Sequence, residues 1–128
     1  MDTNVLVSAF LSSLGTPGHI MSAALRGQLQ ACYNQAIIDE YEEVLSKPKF
    51  RFELSPEQIQ FALKTLQDAG VSCNIYVTSV FPMIDESDRV FYDVAKVAGA
   101  LLITGNMKHY PSEPFIVTPR DFMLLPNV

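Results

Sequence analysis

Apolar positions along the chain follow helical spacing in some stretches and the spacing of short strands in others. Between about residues 34 and 46 they recur at i, i+4 and i+7, and Pro48 follows the end of the pattern. Ser55-Pro56-Glu57-Gln58 is a capping box with proline at the first helical position, and Gly70 ends the apolar stripe behind it. Further helices are predicted from Thr16-Pro17 to Gly27, with Thr16 as N-cap, from Asp88 to about Gly99, and for one turn after Thr118.

Four stretches between these helices have the composition of strands: residues 28–33, 71–80, 101–104 and 114–117. Helices that separate short apolar strands imply right-handed crossovers and a parallel sheet covered on both faces. The pattern therefore predicts an α/β fold, an α/β/α sandwich around a central, mainly parallel sheet. At 128 residues the chain has the size of a single domain, which we place at residues 1–128.

Composition and charge exclude several classes of protein. Hydrophobic residues make up 48% of the chain and charged residues 18%, so a packed core is expected and disorder is not. A net charge of −5 argues against nonspecific coating of nucleic acid, which depends on Lys and Arg. With no membrane-length apolar run and no basic-then-apolar leader, we expect a cytoplasmic protein without a membrane partner. Cys32 and Cys73 are expected to be buried, reduced thiols rather than zinc ligands.

Acidic and amide side chains stand close to the predicted strand ends, where ligands bind in parallel sheets. They are Asp2, Asp85, Asp88 and Asn106, with Glu40 on the helix over residues 34–46. Carboxylates gathered at one sheet edge would repel one another unless cations lay among them. Mg²⁺ and Mn²⁺ prefer such oxygen ligands and can activate water against a phosphodiester. The residues thus indicate a hard-metal, phosphoryl-transfer site.

Each of these residues also has a purely structural interpretation. Asp88 could be a helix N-cap, Asp85 a solvated loop residue and Asn106 a turn residue after glycine. Glu40 is one of four acids within residues 39–43, and a helical wheel barely separates it from Glu42. His109 is more typical of a loop than of a general base.

A basic cluster follows the helix over residues 34–46. It consists of Lys47, Lys49 and Arg51, interleaved with Phe50 and Phe52. Basic clusters of this kind usually lie on a solvated loop. The functional alternative is that they contact the phosphates of RNA. The two phenylalanines suit base stacking and suit packing into the core equally well.

Five segments, in order along nearly the whole chain, resemble the motifs of PIN domains. They are Asp2-Thr3-Asn4-Val5-Leu6-Val7-Ser8-Ala9, Asp39-Glu40-Tyr41-Glu42-Glu43-Val44-Leu45 with Lys47-Pro48-Lys49-Phe50, Asp85-Glu86-Ser87-Asp88-Arg89-Val90-Phe91, Thr104-Gly105-Asn106 with Lys108-His109-Tyr110-Pro111, and Val117-Thr118-Pro119-Arg120-Asp121-Phe122. Within that family the similarity is greatest to toxin components of prokaryotic toxin–antitoxin systems, related to VapC-type toxins. The ordered set is specific, although each motif alone is weak.

The resemblance implies a Mg²⁺- or Mn²⁺-dependent endoribonuclease that acts as a homodimer and has a small antitoxin protein as partner. Asp2, Glu40 and Asp88 would hold the metal as its catalytic ligands. Asn106 stands where many relatives have a fourth acid, so binding there should be weaker or water-mediated, and Asp85 is a possible substitute.

The chain departs from the family at its start, because only Met1 precedes the first acid where the family has a strand of about five residues. The first strand is therefore expected to be truncated, and we hypothesise that the natural start lies upstream or that the chain has been shortened. A sheet without a central strand loses ladder hydrogen bonds and buried side chains. Without that strand, Asp2 should be poorly anchored.

Two other functions stay open on the sequence. One is a catalytically weak PIN-fold module that binds RNA or a protein without cutting, which Asn106 and the missing strand favour. The other, weaker, is a phosphatase with Asp2 as covalent nucleophile. That mechanism needs a second carboxylate shortly after Asp2 as general acid, and Asn4 is an amide.

Overall fold

Helices and short parallel strands make up the fold, as the sequence pattern predicts, and a helix at Thr3–Leu11 that the pattern did not predict opens it. The computed structural model describes residues 1–50, 53–75 and 78–126. Its elements are α1 (Thr3–Leu11), α2 (Thr16–Leu25), β1 (Cys32–Tyr33), α3 (Gln35–Leu45), α4 (Pro56–Ala69), β2 (Val71–Ser72), α5 (Arg89–Ala98), β3 (Leu102–Ile103), β4 (Ile116–Val117) and α6 (Pro119–Met123). Short 3₁₀ turns lie at Pro48–Phe50, Glu86–Asp88 and Met107–His109.

Local capping chemistry fixes most helix ends. The Asn34 side chain accepts the Ile37 N–H at 2.9 Å and starts α3. Both hydrogen bonds of the predicted capping box at the start of α4 are present. Gly99 ends α5 in the left-handed conformation, with φ of 64°, which favours glycine. The prediction for Thr16 is wrong by one residue, because Gly15 is the N-cap of α2 and no side chain caps that helix.

The strands form two parallel pairs, β1 with β2 and β3 with β4, which confirms the prediction of an α/β fold with parallel strands. Among the described residues these pairs are separate two-stranded sheets. Within the described residues the strand predicted for 71–80 is reduced to Val71–Ser72, which are both exposed, whereas Cys73 and Ile75 are partly buried against the main core. Tyr76 and Val77 of that prediction lie outside the described residues.

A cavity of about 280 Å³ lies between the two strand pairs. Apolar side chains from both pairs line it, including Cys32, Leu102 and Ile103, together with Met1. Beside β3, the Asp2 N–H donates to the Ile103 carbonyl at 2.9 Å. The segment Met1–Asp2 therefore lies alongside β3, where the resemblance places the end of a first strand.

The main core packs α1, α3, α4 and α5 together and carries the candidate residues on its rim. Leu6, Leu45 and Leu63 are almost fully buried in it. Tyr41 stacks on Phe91 with ring centroids 5.7 Å apart, which ties α3 to α5. This contact joins the helix that carries Glu40, α3, to the helix that Asp88 directly precedes, α5.

The state of the two cysteines and the presence of membrane-spanning helices can be compared with the sequence predictions. Cys32 and Cys73 are both free, as expected, but each is only partly buried. In the described ranges, none of the helices has the length and apolarity needed to cross a membrane.

Candidate active site

Asp2 is held firmly at the start of α1. Its Oδ1 accepts the Val5 N–H at 3.2 Å, so it is the N-cap of that helix. Its Oδ2 accepts the hydroxyl of Thr104 at 2.5 Å and that of Tyr110 at 3.4 Å. Only 3% of the residue is exposed. The expectation that Asp2 would be poorly anchored without a full first strand is therefore wrong. Thr104 and Tyr110, more than a hundred positions away, hold its carboxylate by hydrogen bonds.

A chain of polar contacts leads from Asp2 to Asp88. The Thr104 hydroxyl that donates to Asp2 also accepts the Asn106 N–H at 3.0 Å. The side-chain amide of Asn106 contacts His109 Nε2 at 2.9 Å, and His109 Nδ1 lies 3.4 Å from Asp88 Oδ2. We call Asp2, Thr104, Asn106, His109 and Asp88 the polar network. It joins two predicted metal ligands through the segment that follows β3.

Asp88 does not serve as a capping side chain. Asp88 stands at the N-cap position of α5, as its structural interpretation expects, but its carboxylate makes no cap hydrogen bond to that helix. Asp85 caps the preceding turn instead, accepting from the Ser87 N–H at 3.0 Å and its hydroxyl at 2.8 Å. Burial raises the pKa of Asp88, and the charges of Asp85 and Asp2 raise it further, against the opposing effect of His109.

Glu40 is distinguished from its acidic neighbours by burial. It is half-buried, whereas Asp39, Glu42 and Glu43 are exposed. Burial raises the pKa of Glu40, followed by the charges of Glu43, Asp85 and Asp88, while Lys47 acts in the opposite direction. The structure thus brings Glu40 into electrostatic range of Asp88, a relationship that the helical wheel could not establish.

The donor atoms gathered here are carboxylate and amide oxygens, whose chemistry fits a hard divalent cation. Burial is the main cause of the raised pKa values of Glu40 and Asp88, and nearby carboxylates, including Asp85 for both groups, add to it, which a cation would oppose. Across residues 1–50, 53–75 and 78–126, however, no three Asp, Glu, His or Cys side chains are arranged so that they could hold a metal ion. A coordination sphere is therefore not preformed in the described residues.

Sequence reasoning missed part of this site. Thr104 is fully buried and Tyr110 nearly so, and both hold Asp2 through contacts that no local pattern indicates. Burial and the charges of Asp2 and Asp88 raise the pKa of Tyr110, so its hydroxyl keeps its proton. Asp93 is also buried, but it accepts from the Ser79 N–H, at 3.4 Å to each oxygen, outside the polar network.

The basic cluster is only partly described. Lys47 and Lys49 are exposed, and Arg51 and Phe52 lie outside the described residues. Phe50 is buried in the core at 8% exposure, with the Lys49 ammonium 5.2 Å from its ring centroid. Of the two interpretations of Phe50, core packing is confirmed and base stacking is wrong.

The parallel strand pairs, the acids near their ends and the network that joins Asp2 to Asp88 define an α/β protein with an acidic candidate site. A family model described as PIN domain matches residues 1–108, and the chain belongs to the PIN-domain family. PIN domains are in general nucleases, which gives the acidic site a class of chemistry. No curated protein and no solved structure shows a significant match to the chain.

Proposed function

We propose that this protein is a divalent-metal-dependent endoribonuclease in which Asp2, Glu40 and Asp88 hold Mg²⁺ or Mn²⁺. Asn106 would act as a weaker or water-mediated ligand. The observation that carries the proposal is the polar network, which connects Asp2 to Asp88 through Asn106 and keeps both carboxylates on one side of the segment after β3. Membership of the PIN-domain family supports the reaction class.

Electrostatics explain why an acidic protein would bind RNA at such a site. At a net charge of −5, the phosphate backbone is repelled until a cation neutralises the carboxylates. A bound divalent ion would supply Lewis-acid activation of water and stabilise the leaving oxygen. The protein's own contribution is to fix the carboxylates as ligands and to leave Lys47 and Lys49 exposed beside α3, where they can contact phosphate.

A second candidate function is a PIN-fold module that binds RNA or a protein without cutting. The open arrangement of the acids favours it, as does the amide of Asn106 in place of a fourth carboxylate. Metal dependence separates the two functions, since a binding module has no need of Mn²⁺.

The biological setting belongs to the proposal as well. By resemblance, the chain would be the toxin component of a toxin–antitoxin system, with RNA as substrate, a small antitoxin protein as partner and a homodimer as active form. Light scattering of the purified protein would test the dimer, and a monomer at micromolar concentration would contradict it.

The decisive assay incubates the purified chain with a mixed panel of RNAs in Mn²⁺ and in EDTA. Asp88→Asn removes one proposed ligand charge, and Asp68→Asn is a matched control because Asp68 is exposed on α4. We expect cleavage by the unaltered chain and by Asp68→Asn in Mn²⁺ only, and at least a hundredfold loss in Asp88→Asn. Circular dichroism checks that both variants fold. Cleavage in EDTA, or equal rates in both variants, would contradict the proposal.

A further inference from the structure

The contact between Asn106 and His109 defines which ring nitrogen of His109 carries the proton. The Asn106 Nδ2 amide group is a donor only, and it lies 2.9 Å from His109 Nε2. Nε2 must therefore accept, which leaves the hydrogen of a neutral imidazole on Nδ1. That Nδ1 faces Asp88 Oδ2 at 3.4 Å. The histidine is thus in the tautomer whose Nδ1–H faces Asp88 Oδ2.

This arrangement leaves the oxygen atoms of both neighbours available to a cation. His109 occupies the Nδ2 side of the Asn106 amide and one oxygen of Asp88. Within the described part of the chain, the amide oxygen of Asn106 takes part in no hydrogen bond, and the contact of His109 with Asp88 is to Oδ2, not to Oδ1. An asparagine whose nitrogen is held by a histidine presents its oxygen, which is the atom that a hard cation binds.

We infer that His109 is a positioning residue that turns Asp88 and Asn106 toward the cation site of the proposed function. The inference rests on that function and adds a residue to it. Outer-shell partners of metal ligands commonly contribute ten- to a hundredfold to affinity, because they fix the orientation and tautomer of the ligand. His109 suits this task because the 3₁₀ turn Met107–His109 brings it back over Asn106, three residues earlier.

The tautomer is tested first, on the metal-free protein. Long-range ¹H–¹⁵N spectra at pH 8 distinguish Nδ1–H from Nε2–H in a neutral imidazole. His19 is exposed and serves as the internal reference, since the chain has two histidines. We expect His109 in the Nδ1–H form and His19 in the mixture typical of free histidine. An Nε2–H signal for His109 would overturn the inference.

Positioning of the cation is tested by Mn²⁺ calorimetry on matched variants. In His109→Asn the amide nitrogen stands where Nδ1 was and can still donate to Asp88, whereas His109→Gln places its amide near the former Nε2. We expect Mn²⁺ affinity to fall about tenfold or more in His109→Gln and to recover to within about threefold of the unaltered chain in His109→Asn. His19→Gln should leave the affinity unchanged.

The outcomes separate this inference from the function on which it rests. If the unaltered chain binds Mn²⁺ and both His109 variants bind equally well, or lose affinity equally, the positioning role is wrong and the metal site stands. If the unaltered chain does not bind Mn²⁺, the proposed function fails and the positioning role fails with it.

Discussion

Replacing Thr104 by valine tests whether the buried hydroxyl is what anchors Asp2. Thr104 is 0% exposed, and its hydroxyl donates to Asp2 Oδ2 at 2.5 Å while accepting the Asn106 N–H at 3.0 Å. Valine has nearly the same shape, so the substitution removes two hydrogen bonds without opening a cavity. The perturbation therefore isolates the polar network from core packing.

The magnitude follows from the two bonds lost. A hydrogen bond to a charged group contributes about 1.5–3 kcal/mol, and a neutral one about 0.5–1.5 kcal/mol. Asn106 is half-buried, so its orphaned N–H can partly reach water and the lower part of the second range applies. We expect Thr104→Val to lower the free energy of unfolding by about 2–4 kcal/mol, which corresponds to roughly 8–16 °C in Tm for a chain of this length.

The assay is urea unfolding followed by far-ultraviolet circular dichroism in EDTA. Thr65→Val is the matched control, since the Thr65 hydroxyl donates only to the Phe61 carbonyl one turn earlier in α4, at 2.8 Å. That variant should stay within about 0.5 kcal/mol of the unaltered chain. A Thr104→Val protein as stable as the control would refute the argument that this hydroxyl anchors Asp2.

Three further changes have defined outcomes. Thr3→Val should raise the free energy of unfolding by about 0.5–2 kcal/mol, because the Thr3 hydroxyl is buried without a hydrogen-bond partner in the described residues; a loss in urea titration would contradict this. Ser55→Ala should cost about 1 kcal/mol by removing the cap of α4, and an unchanged urea midpoint would count against it. Because the pKa of Asp88 is raised, the folded state holds the carboxyl proton of Asp88 more tightly than the unfolded state does. The stability that Asp88 contributes is therefore present below about pH 4 and is lost as the pH rises through the pKa of Asp88 in the folded state. In EDTA, Asp88→Asn should therefore gain stability relative to the unaltered chain between pH 4 and pH 8, and a constant difference across that range would disprove it.

Local chemistry was the part of the fold that sequence could predict. The capping box at Ser55 and the helix end at Gly99 depend on residues within one turn, and both predictions are confirmed. The strand predicted for residues 71–80 shows the opposite case. Cys73 and Ile75 pack against the core as an alternating pattern expects, yet in the described residues only Val71–Ser72 form a strand. The predicted central sheet is likewise divided into two pairs in the described residues.

The candidate site also has a part that the sequence indicates and a part that only the structure reveals. The resemblance singled out Glu40 and Asp88. The structure adds that Glu40 is the half-buried member of its acidic run and that Asp88, at the N-cap position of α5, makes no side-chain cap hydrogen bond. The anchoring of Asp2 could not be predicted, since Thr104 and Tyr110 reach it across the whole chain. Neighbours in space, rather than in sequence, determine which polar residues form a site.

The central claim, that the acids form a cation site, is tested most directly by thermal unfolding with increasing Mn²⁺. A ligand at a hundred times its Kd stabilises the folded state by about 2.7 kcal/mol, or roughly 10 °C here. We predict a rise of this order for the unaltered chain and for Asp68→Asn, and loss of most of it in Asp88→Asn and Glu40→Gln. No rise in the unaltered chain, or an equal rise in all four proteins, would contradict the account.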